Sequence, residues 1–256
     1  MDLNNLTVGY LTSRNRIAIQ KNITATLEPG QFTCMLGPNG AGKSTLLRTM
    51  AGFIPSLDGS IIINGRHLSS YSQSQLARLV SVVLTGRPSV SSMTVEQLVA
   101  LGRSPYTGFW GRLADADRKS VETALELTGT VSLRERLADT LSDGEMQKVM
   151  VAKALAQETP VILLDEPTAF LDFPSKAEIM RLLRNLAHVK NKTIFLSSHD
   201  INMALALADS LWLVDRNYGV SIGTPTELAD NGYLEKYFLR PGISFSPETL
   251  TFSVER

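Results

Sequence analysis

The sequence predicts an α/β fold built around a mainly parallel sheet. Two apolar runs, Phe32 to Leu36 and Val161 to Leu164, carry this prediction, because a strand buried on both faces of a parallel sheet is continuously apolar. A glycine-rich stretch at 37–45 joins the first run to a helical pattern. A later predicted helix leads to a third buried run, Thr193 to Leu196, so that strands and helices alternate as they do in α/β proteins.

The chain has 256 residues, enough for one or two domains with a substantial core. Lys plus Arg number 25 and Asp plus Glu number 25, and this zero formal net charge argues against a surface devoted to nucleic acid or anionic membranes. The N-terminus lacks a secretory pattern and no apolar run reaches the roughly 18 residues of a membrane helix, so we expect a cytoplasmic, soluble chain. Cys34, the single cysteine, lies in an apolar run and is expected in the core.

The first part of the chain predicts short strands and one helix. Tyr10 ends the first strand, where its ring either packs in a core or stacks on a base, and its position alone favours packing. The strands are expected at Leu3 to Tyr10, Ile17 to Leu27, Phe32 to Leu36, Ile61 to Ile63 and Leu79 to Leu84, with a tight turn at Asn64-Gly65 and a helix over Thr45 to Met50.

The stretch 37–45 fits the pattern G-x-x-x-x-G-K-[ST] in full. Its glycines let the backbone curl so that N–H groups point at phosphate oxygens, and the following helix adds its positive N-terminal end. We therefore expect a nucleoside triphosphate here, with Lys43 at the β- and γ-phosphates, Ser44 offering its hydroxyl to Mg²⁺ and Thr45 placing a second hydroxyl beside it. The predicted binding residues are Gly37, Pro38, Asn39, Gly40, Ala41, Gly42, Lys43, Ser44 and Thr45.

The middle of the chain, 85–140, predicts helices without strands. Thr94 and Gln97 form a T-x-x-Q capping box ahead of an apolar helical face. Further helices are expected at Asp115 to Leu127 and at Leu133 to Leu137. This segment therefore differs in character from the α/β parts on either side of it.

An aromatic loop, Arg103 to Trp110, lies between two of these helices. It either connects them through buried rings or exposes a surface that docks a partner. Tyr106, Phe109 and Trp110 belong to residue types that are enriched at the centres of protein interfaces, which supports the second interpretation. Both interpretations remain open from the sequence.

Two carboxylates, Asp165 and Glu166, follow the buried run that starts at Val161. An open α/β sheet binds its ligand at the carboxyl ends of its strands, so both acids should face the phosphate loop. Two acids beside a triphosphate repel it unless Mg²⁺ lies between them. We expect Asp165 to bind the hydration shell of this metal and Glu166 to act on the attacking water.

Two further stretches bear on this edge of the sheet. The predicted strand Thr193 to Leu196 leads to His199, which is expected to contact the γ-phosphate or the attacking water, with a structural role as the alternative. His67 and His188 lie in polar contexts and indicate no function. A helix is expected to begin at Ser175.

With these pieces in order, the chain resembles the ATP-binding subunit of ABC transporters over essentially its whole length. The stretch 37–45 matches the Walker A motif, Val161 to Asp165 the Walker B motif, and Leu141 to Glu145 the family signature L-S-G-G-Q or L-S-G-G-E. The resemblance implies a P-loop NTPase, with a RecA-like core, an antiparallel β subdomain and an inserted all-helical subdomain. In this single ABC ATPase domain, the implied parts are 1–84 and 141–215 for the nucleotide-binding core, 85–140 for the helical subdomain and 216–256 for a C-terminal extension.

The resemblance also implies roles for individual residues. Tyr10 looks like the aromatic residue that stacks on adenine, in place of the packing role that its position favours. Asp172 lies in a match to the D-loop, which communicates across a dimer, and His199 looks like the switch histidine. The signature is implied to close over ATP bound by a second copy, so that two chains bind two ATP molecules head to tail. The signature residues are Leu141, Ser142, Asp143, Gly144 and Glu145, and the S-x-x-E spacing of Ser142 and Glu145 also predicts a capped helix.

Three short stretches, Gly102 to Tyr106, Trp110 to Leu113 and Gly223 to Pro225, are similar to the ATPases of ferric-siderophore, haem and cobalamin importers. This implies membrane permease subunits docked on the helical subdomain, an external substrate-binding protein, no nucleic acid partner, and a peripheral position on the cytoplasmic face of the cell membrane. The alternative is a soluble ATP-gated clamp or scaffold, such as an iron–sulfur assembly ATPase. Only the loop 102–113 argues against that alternative.

Two positions depart from the family pattern. Asp143 stands where the family usually has glycine, and Thr85 stands where the Q-loop glutamine is expected. The carboxylate of Asp143 is expected to turn away from ATP, because the γ-phosphate competes for the same helix N-terminus. The short side chain of Thr85 is expected to miss the metal, and the nearest downstream glutamine in the sequence is Gln97.

Overall fold

The computed structural model describes residues 1–11, 15–86, 90, 92–108, 111–169 and 171–255. Among these residues the chain forms a four-stranded sheet, a six-stranded sheet and a two-stranded hairpin. In chain order the elements are β1 (Asp2–Leu11), β2 (Arg16–Thr26), β3 (Phe32–Leu36), α1 (Lys43–Met50), β4 (Asp58–Ile63), β5 (Arg66–His67), α2 (Gln73–Leu76), β6 (Val80–Val83), α3 (Val95–Ala100), α4 (Asp115–Leu127), α5 (Asp143–Ala156), β7 (Val161–Asp165), α6 (Phe173–Lys190), β8 (Thr193–Ser198), α7 (Ile201–Leu207), β9 (Ser210–Asp215), β10 (Gly219–Gly223), α8 (Pro225–Asp230), α9 (Tyr233–Phe238), β11 (Ile243–Ser246) and β12 (Thr251–Val254).

The six-stranded sheet is the centre of the fold and confirms the α/β prediction. Its strand order is β10-β9-β3-β8-β7-β6, and all neighbours are parallel except β10 and β9. Every residue of β3, β7 and β8 is buried, as their continuous apolarity predicts. The loops after these three strands therefore emerge at one edge of the sheet, where α/β folds bind their ligands.

Helices and a second sheet cover the two faces of the parallel sheet. On one face, α1 lies between it and the antiparallel sheet β2-β1-β4-β5, and the shared core includes Leu6, Leu46, Phe195 and Trp212. The rings of Phe195 and Trp212 meet edge to face with centroids 5.0 Å apart. On the other face, α6 and the C-terminal helices pack on the apolar side chains of the strands. Cys34 is fully buried in this core, and burial raises the pKa of its thiol.

The inserted segment has its own small core, which α3, α4 and residues along the whole length of α5 form together. The capping box at Thr94 is present: the Thr94 hydroxyl accepts from the N–H of Gln97, and the Gln97 side chain accepts in return from the N–H of Thr94. Among the described residues of 85–140, the predicted all-helical character is confirmed, apart from an isolated β-bridge between Thr94 and Leu137.

The helix predicted over Leu133 to Leu137 is wrong. Leu133 ends a single 3₁₀ turn, and the residues after it direct two carbonyl groups to a neighbouring helix instead of forming one of their own. The N–H of Val95 donates to the carbonyl of Arg136 at 2.9 Å, and the N–H of Glu96 donates to that of Arg134 at 3.1 Å. A helix start leaves its first N–H groups without partners, and the turn supplies acceptors for two of them at the start of α3.

A buried arginine fastens the aromatic loop to the end of α5. Arg103 is 5% exposed, and its guanidinium lies 2.9 Å from Asp117 Oδ1 and 2.7 Å from Glu158 Oε2. It also donates to the carbonyl of Ala156 at 2.7 Å, and it lies over the ring of Tyr106 at 4.1 Å. The guanidinium therefore joins the loop, α4 and the end of α5 in one network.

Tyr106 takes part in this network but is 37% exposed, so the proposed docking role of the loop stays a prediction. The Tyr106 hydroxyl donates to the carbonyl of Gln157, whose side chain donates in turn to carbonyls of Ala77 and Val80 at the start of β6. Tyr106 therefore belongs to the structural connection between the inserted segment and the sheet. The other two aromatic residues of the proposed docking surface, Phe109 and Trp110, lie outside the described residues.

None of the described helices combines the length and the apolarity needed to cross a bilayer.

Candidate functional site

The phosphate loop follows β3 at the carboxyl edge of the parallel sheet and runs into α1. At two of its glycines, neighbouring atoms lie so close that a side chain would collide with them. A Cβ at Gly37 would lie 2.1 Å from the carbonyl oxygen of Val214, and one at Gly42, which has φ 102°, would lie 2.4 Å from Ile19 Cγ2. Gly40 also has a left-handed φ of 76°. The sequence pattern thus folds into the tight curl that a bound phosphate chain requires.

The ammonium of Lys43 lies inside this curl. Its side chain donates to the carbonyls of Gly37 at 2.8 Å and Pro38 at 3.2 Å, and the residue is 5% exposed. Burial lowers the pKa of Lys43, while the nearby carboxylates of Glu166 and Asp165 act in the opposite direction. A cation is therefore positioned at the place where phosphate oxygens are expected.

Two residues that sequence reasoning missed support the loop from outside. Gln20, buried in β2, donates to the carbonyls of Ala41 and Asp215, both at 2.9 Å. Arg216, just after β9, donates from Nε to the carbonyl of Gly40 at 2.7 Å. No sequence signal marked Gln20, because a glutamine is ordinary in a strand whose other residues are mostly exposed. No local pattern indicated Arg216, because its partner is 176 residues away along the chain.

Asp165 connects the end of β7 to the phosphate loop, as expected. It is 2% exposed, and its Oδ1 atom accepts hydrogen bonds from the hydroxyls of Ser44 at 3.1 Å and Ser197 at 2.8 Å. Its backbone carbonyl accepts from the hydroxyl of Thr85 at 2.8 Å. Ser197 also accepts from the N–H of Glu166, so this serine orients both acids, a role that its sequence context did not indicate.

Glu166 and His199 meet at the same edge. His199 Nε2 lies 2.6 Å from Glu166 Oε1, although the residues are 33 positions apart. Glu166 has a left-handed φ of 52°, a conformation that costs a non-glycine residue of order 1–3 kcal/mol and is concentrated at functional sites. Of the other histidines, His188 pairs with Asp209 away from this edge, and His67 lies exposed on β5.

Tyr10 does not pack in a core, and the expectation from its position alone is wrong. Its side chain is 43% exposed, and its hydroxyl hydrogen-bonds with that of Thr45 at 2.8 Å. It lines a cavity of about 250 Å³ together with residues of the phosphate loop, Glu166 and Arg216. The ring therefore lies beside the candidate phosphate site, where the strand β1 ends.

The signature residues begin α5 and pack on the neighbouring loop. The hydroxyl of Ser142 accepts from the N–H of Glu145, whose carboxylate accepts from the N–H of Ser142 at 2.8 Å. This backbone hydrogen bond, followed by the Ser142 hydroxyl, lowers the pKa of Glu145. Leu141 is buried, and a Cβ at Gly144 would lie 3.3 Å from Leu171 Cδ2, so the signature contacts the segment just before Asp172.

Asp172 itself caps α6. Its Oδ1 atom accepts from the N–H of Ser175 at 3.1 Å, and hydrogen bonds from Ser175 lower its pKa. The helix therefore begins at Phe173, two residues earlier than predicted from Ser175. The proline after Phe173 occupies the first turn, where its missing N–H costs nothing.

The two departures from the family pattern lie in one place. A cavity of about 280 Å³ is lined by Thr85, Asp143, Gln147 and Glu166, among others. The Thr85 hydroxyl donates to the carbonyl of Asp165, and its expected failure to reach a metal stays a prediction. Although no glutamine is close to Thr85 in the sequence, the fold brings the Gln147 side chain to the same cavity, because α5 packs beside β6.

Comparison with known proteins identifies the family. The sequence model described as ABC transporter matches residues 20–169. An ABC transporter ATP-binding protein of Methanocaldococcus jannaschii is 40% identical over 86% of this chain and 75% of its own. The achromobactin transport ATP-binding protein CbrD of Dickeya dadantii is 37% identical over 91% of this chain and 85% of its own, and the ferric enterobactin transport ATP-binding protein FepC of Escherichia coli is 34% identical over 91% and 84%.

Solved structures agree with the sequence matches. A chain of an inward-facing transporter described as of the metal-chelate type has a TM-score of 0.79 and 25% identity, covering 99% of this chain and 95% of its own. The dimeric structure of a bacterial ABC transporter cassette has a TM-score of 0.76 and 26% identity, covering 87% of this chain and 97% of its own. The chain therefore belongs to the ABC transporter family, as one of its ATP-binding ATPase subunits.

Proposed function

We propose that this chain hydrolyses ATP to power the import of an iron chelate, such as a ferric siderophore or haem, or of cobalamin, through a membrane permease. The observation that carries the proposal is the convergence of Lys43, Ser44, Asp165, Glu166 and His199 at one sheet edge. Support for the cargo class comes from relatives named as transport ATPases for achromobactin and ferric enterobactin. No observation on this chain favours a soluble assembly ATPase.

The residues present fit ATP and Mg²⁺. The phosphate loop is a cradle that a side chain at Gly37 or Gly42 would fill, with the Lys43 ammonium inside it. The hydroxyl of Ser44 and the carboxylate of Asp165 are hard oxygen groups, which Mg²⁺ prefers, and they lie 3.1 Å apart. When bound there, the metal would neutralise charge between the phosphates and the two acids. The adenine is assigned to the face of Tyr10, at the mouth of the same cavity.

Glu166 is the residue proposed to act on the attacking water. His199 lies against its Oε1 atom at 2.6 Å, which fixes the carboxylate and leaves its second oxygen to accept a proton. Lys43 offers positive charge to the phosphate oxygens that gain negative charge as the bond breaks. The N–H of Glu166 donates to Ser197, which also donates to Asp165, so one serine sets the positions of both acids.

A dimer is required for the signature to act. Ser142 and Gly144 lie at the start of α5 and do not line the cavity beside the phosphate loop of the same chain, so we assign them to ATP bound by a second copy. The N-terminus of this 14-residue helix favours an anion. Asp172, which caps the neighbouring helix, is assigned to the contact between the two sites. The dimeric structure of a related cassette supports this arrangement.

The proposed import function also implies a membrane permease and a substrate-binding protein as partners. The permease subunits would dock on the helical segment and place the chain at the cytoplasmic face of the cell membrane, as a peripheral subunit. An external substrate-binding protein would deliver the cargo, which need never touch this chain. The zero formal net charge of the chain agrees with the absence of a nucleic acid partner.

Uptake by cells tests the proposed cargo class. Replacing Lys43 with alanine in the source organism should abolish uptake of one of three labelled cargoes, a ferric siderophore, haem or cobalamin. The exposed Lys21→Ala variant serves as the matched control and should transport normally. Unchanged uptake of all three cargoes, with the chain recovered outside the membrane fraction, would instead support the assembly ATPase.

The hydroxyls of Thr85 and Ser44 should contribute unequally to ATP turnover. Thr85→Ala should lower ATP turnover by less than about tenfold, or roughly 1.4 kcal/mol, because its hydroxyl is bonded to the Asp165 carbonyl. Ser44→Ala should cost considerably more, because Ser44 links the phosphate loop to Asp165. The ATPase rates of the two variants, measured at saturating Mg²⁺, test this difference. A loss of a hundredfold in Thr85→Ala would show that this hydroxyl reaches the metal or the water.

A further inference from the structure

The C-terminal hairpin, formed by β11 and β12 over residues 243–254, packs against α7 rather than against the main sheet. One side chain makes the connection. Asn202 donates from Nδ2 to the carbonyl of Phe252 at 3.0 Å and accepts from the N–H of Phe252 at 2.8 Å. The amide of Asn202 thus pairs with the backbone of β12 as another strand would, and it satisfies an edge that would otherwise be open.

The hairpin is itself anchored by aromatic rings. The centroid of the Phe252 ring lies 4.6 Å from that of Phe245 and 5.9 Å from that of Phe238 at the end of α9. Phe238 in turn lies 6.4 Å from Tyr237, which is 2% exposed in the core of the α/β part. A continuous set of contacts therefore runs from the core through the hairpin to Asn202.

Asn202 is three residues beyond His199. α7 has only seven residues, from Ile201 to Leu207, and a helix of this length has little stability without tertiary contacts. On one side, Lys176 binds the Asp200 carboxylate at 2.8 Å. On the other side, the hairpin supplies the two hydrogen bonds to Asn202. Both contacts add to the apolar packing of Ala204 and Leu205 in the core, and they hold the start of α7 next to His199.

The surroundings of His199 leave the side chain room to move. A cavity of about 240 Å³ adjoins the residue, and Pro38, Ile201, Phe238 and Arg240 are among the residues that line it. The imidazole is therefore not confined by close packing on that side, and it has space to turn away from Glu166. A shift of about 1 Å in a catalytic group can cost a hundredfold in rate.

We propose that Asn202 and Phe252 are positioning residues, through which the C-terminal hairpin fixes α7 and holds His199 within hydrogen-bonding distance of Glu166. This inference rests on the role proposed above for His199 and Glu166. It gives the C-terminal segment a function in ATP hydrolysis without any contact with ATP.

The test variants should have a lower turnover but an unchanged affinity for ATP. Asn202→Ala and Phe252→Ala should each lower kcat for ATP by about five- to twentyfold, or roughly 1–2 kcal/mol. The KM for ATP should stay within about twofold, because neither residue lines the nucleotide cavity. Ser244→Ala is the matched control: Ser244 pairs with Ser253 on the opposite face of the same hairpin and should leave kcat unchanged. Normal kcat in Asn202→Ala would overturn the proposal.

A double variant shows whether the effect passes through His199. In the His199→Ala background, Asn202→Ala should change turnover by less than about twofold, whereas a full multiplicative loss would overturn the proposal. Hydrogen exchange gives a readout that needs no turnover. Amides of 201–207 should exchange faster in Asn202→Ala while those of α1 do not, and unchanged exchange in α7 would also contradict the proposal. If Glu166→Gln retained full turnover, the proposed catalytic role would fail instead, whatever the hairpin variants did.

Discussion

Replacing Glu166 with glutamine should lower ATP turnover by about a hundredfold to ten-thousandfold while ATP binding persists. Glutamine has nearly the same shape but cannot accept the proton of the attacking water, and a positioned general base typically contributes this much. The hydrogen bonds of Lys43 and Ser44 do not involve the Glu166 side chain, so the phosphate loop should keep its conformation. Turnover measured at saturating ATP, with binding measured separately, tests both parts of the expectation.

The same variant should also reveal the dimer. Because ATP would bind without being hydrolysed, the head-to-tail dimer should accumulate and be visible by size-exclusion chromatography with ATP. Glu178→Gln is a suitable control, since Glu178 pairs with Lys148 at the surface and should leave turnover unchanged. Retention of more than a tenth of native turnover in Glu166→Gln would show that another group serves as the base.

Replacing Arg103 with alanine should lower the free energy of unfolding by about 3–5 kcal/mol. The substitution leaves the buried carboxylate of Asp117 and the carbonyl of Ala156 without their partner, and breaking a buried ion pair from one side has this cost. The ring of Tyr106 also loses the cation above it. Denaturant unfolding followed by circular dichroism measures the change directly.

Arg134 offers a matched control in the same segment. It pairs with Glu96 and Glu122, whose side chains are far more exposed than that of Asp117, so Arg134→Ala should cost no more than about 1 kcal/mol.

The pKa of Asp117 is lowered first by the hydrogen bond from the N–H of Ala114 and then by Arg103. The stabilising contribution of this carboxylate is therefore complete above the ordinary pKa near 3.8, and it is lost only as the pH falls through the lower native pKa. Arg103→Ala should therefore still lose more unfolding free energy than Arg134→Ala in mild acid. Equal losses in both would contradict the importance of burial.

The sequence by itself determined the features that depend on neighbouring residues. The glycine loop at 37–45, the capping boxes at Thr94 and Ser142 and the continuously apolar strands were all predicted, because their hydrogen bonds or burial patterns lie within a few positions along the chain. Periodicity failed at Leu133 to Leu137, where the carbonyls serve the start of another helix. That outcome depended on a segment about 40 residues away and left no local trace.

Only the tertiary structure decided how these pieces act together. It placed Tyr10 beside the phosphate loop rather than in a core, brought Ser197 and Thr85 to Asp165, and joined Asn202 to the C-terminal hairpin. Each of these contacts joins residues that are 32 to 80 positions apart. A hydroxyl or amide in the sequence does not specify its partner, because that partner is chosen by the packing of whole strands and helices, in which burial of apolar surface outweighs any single hydrogen bond.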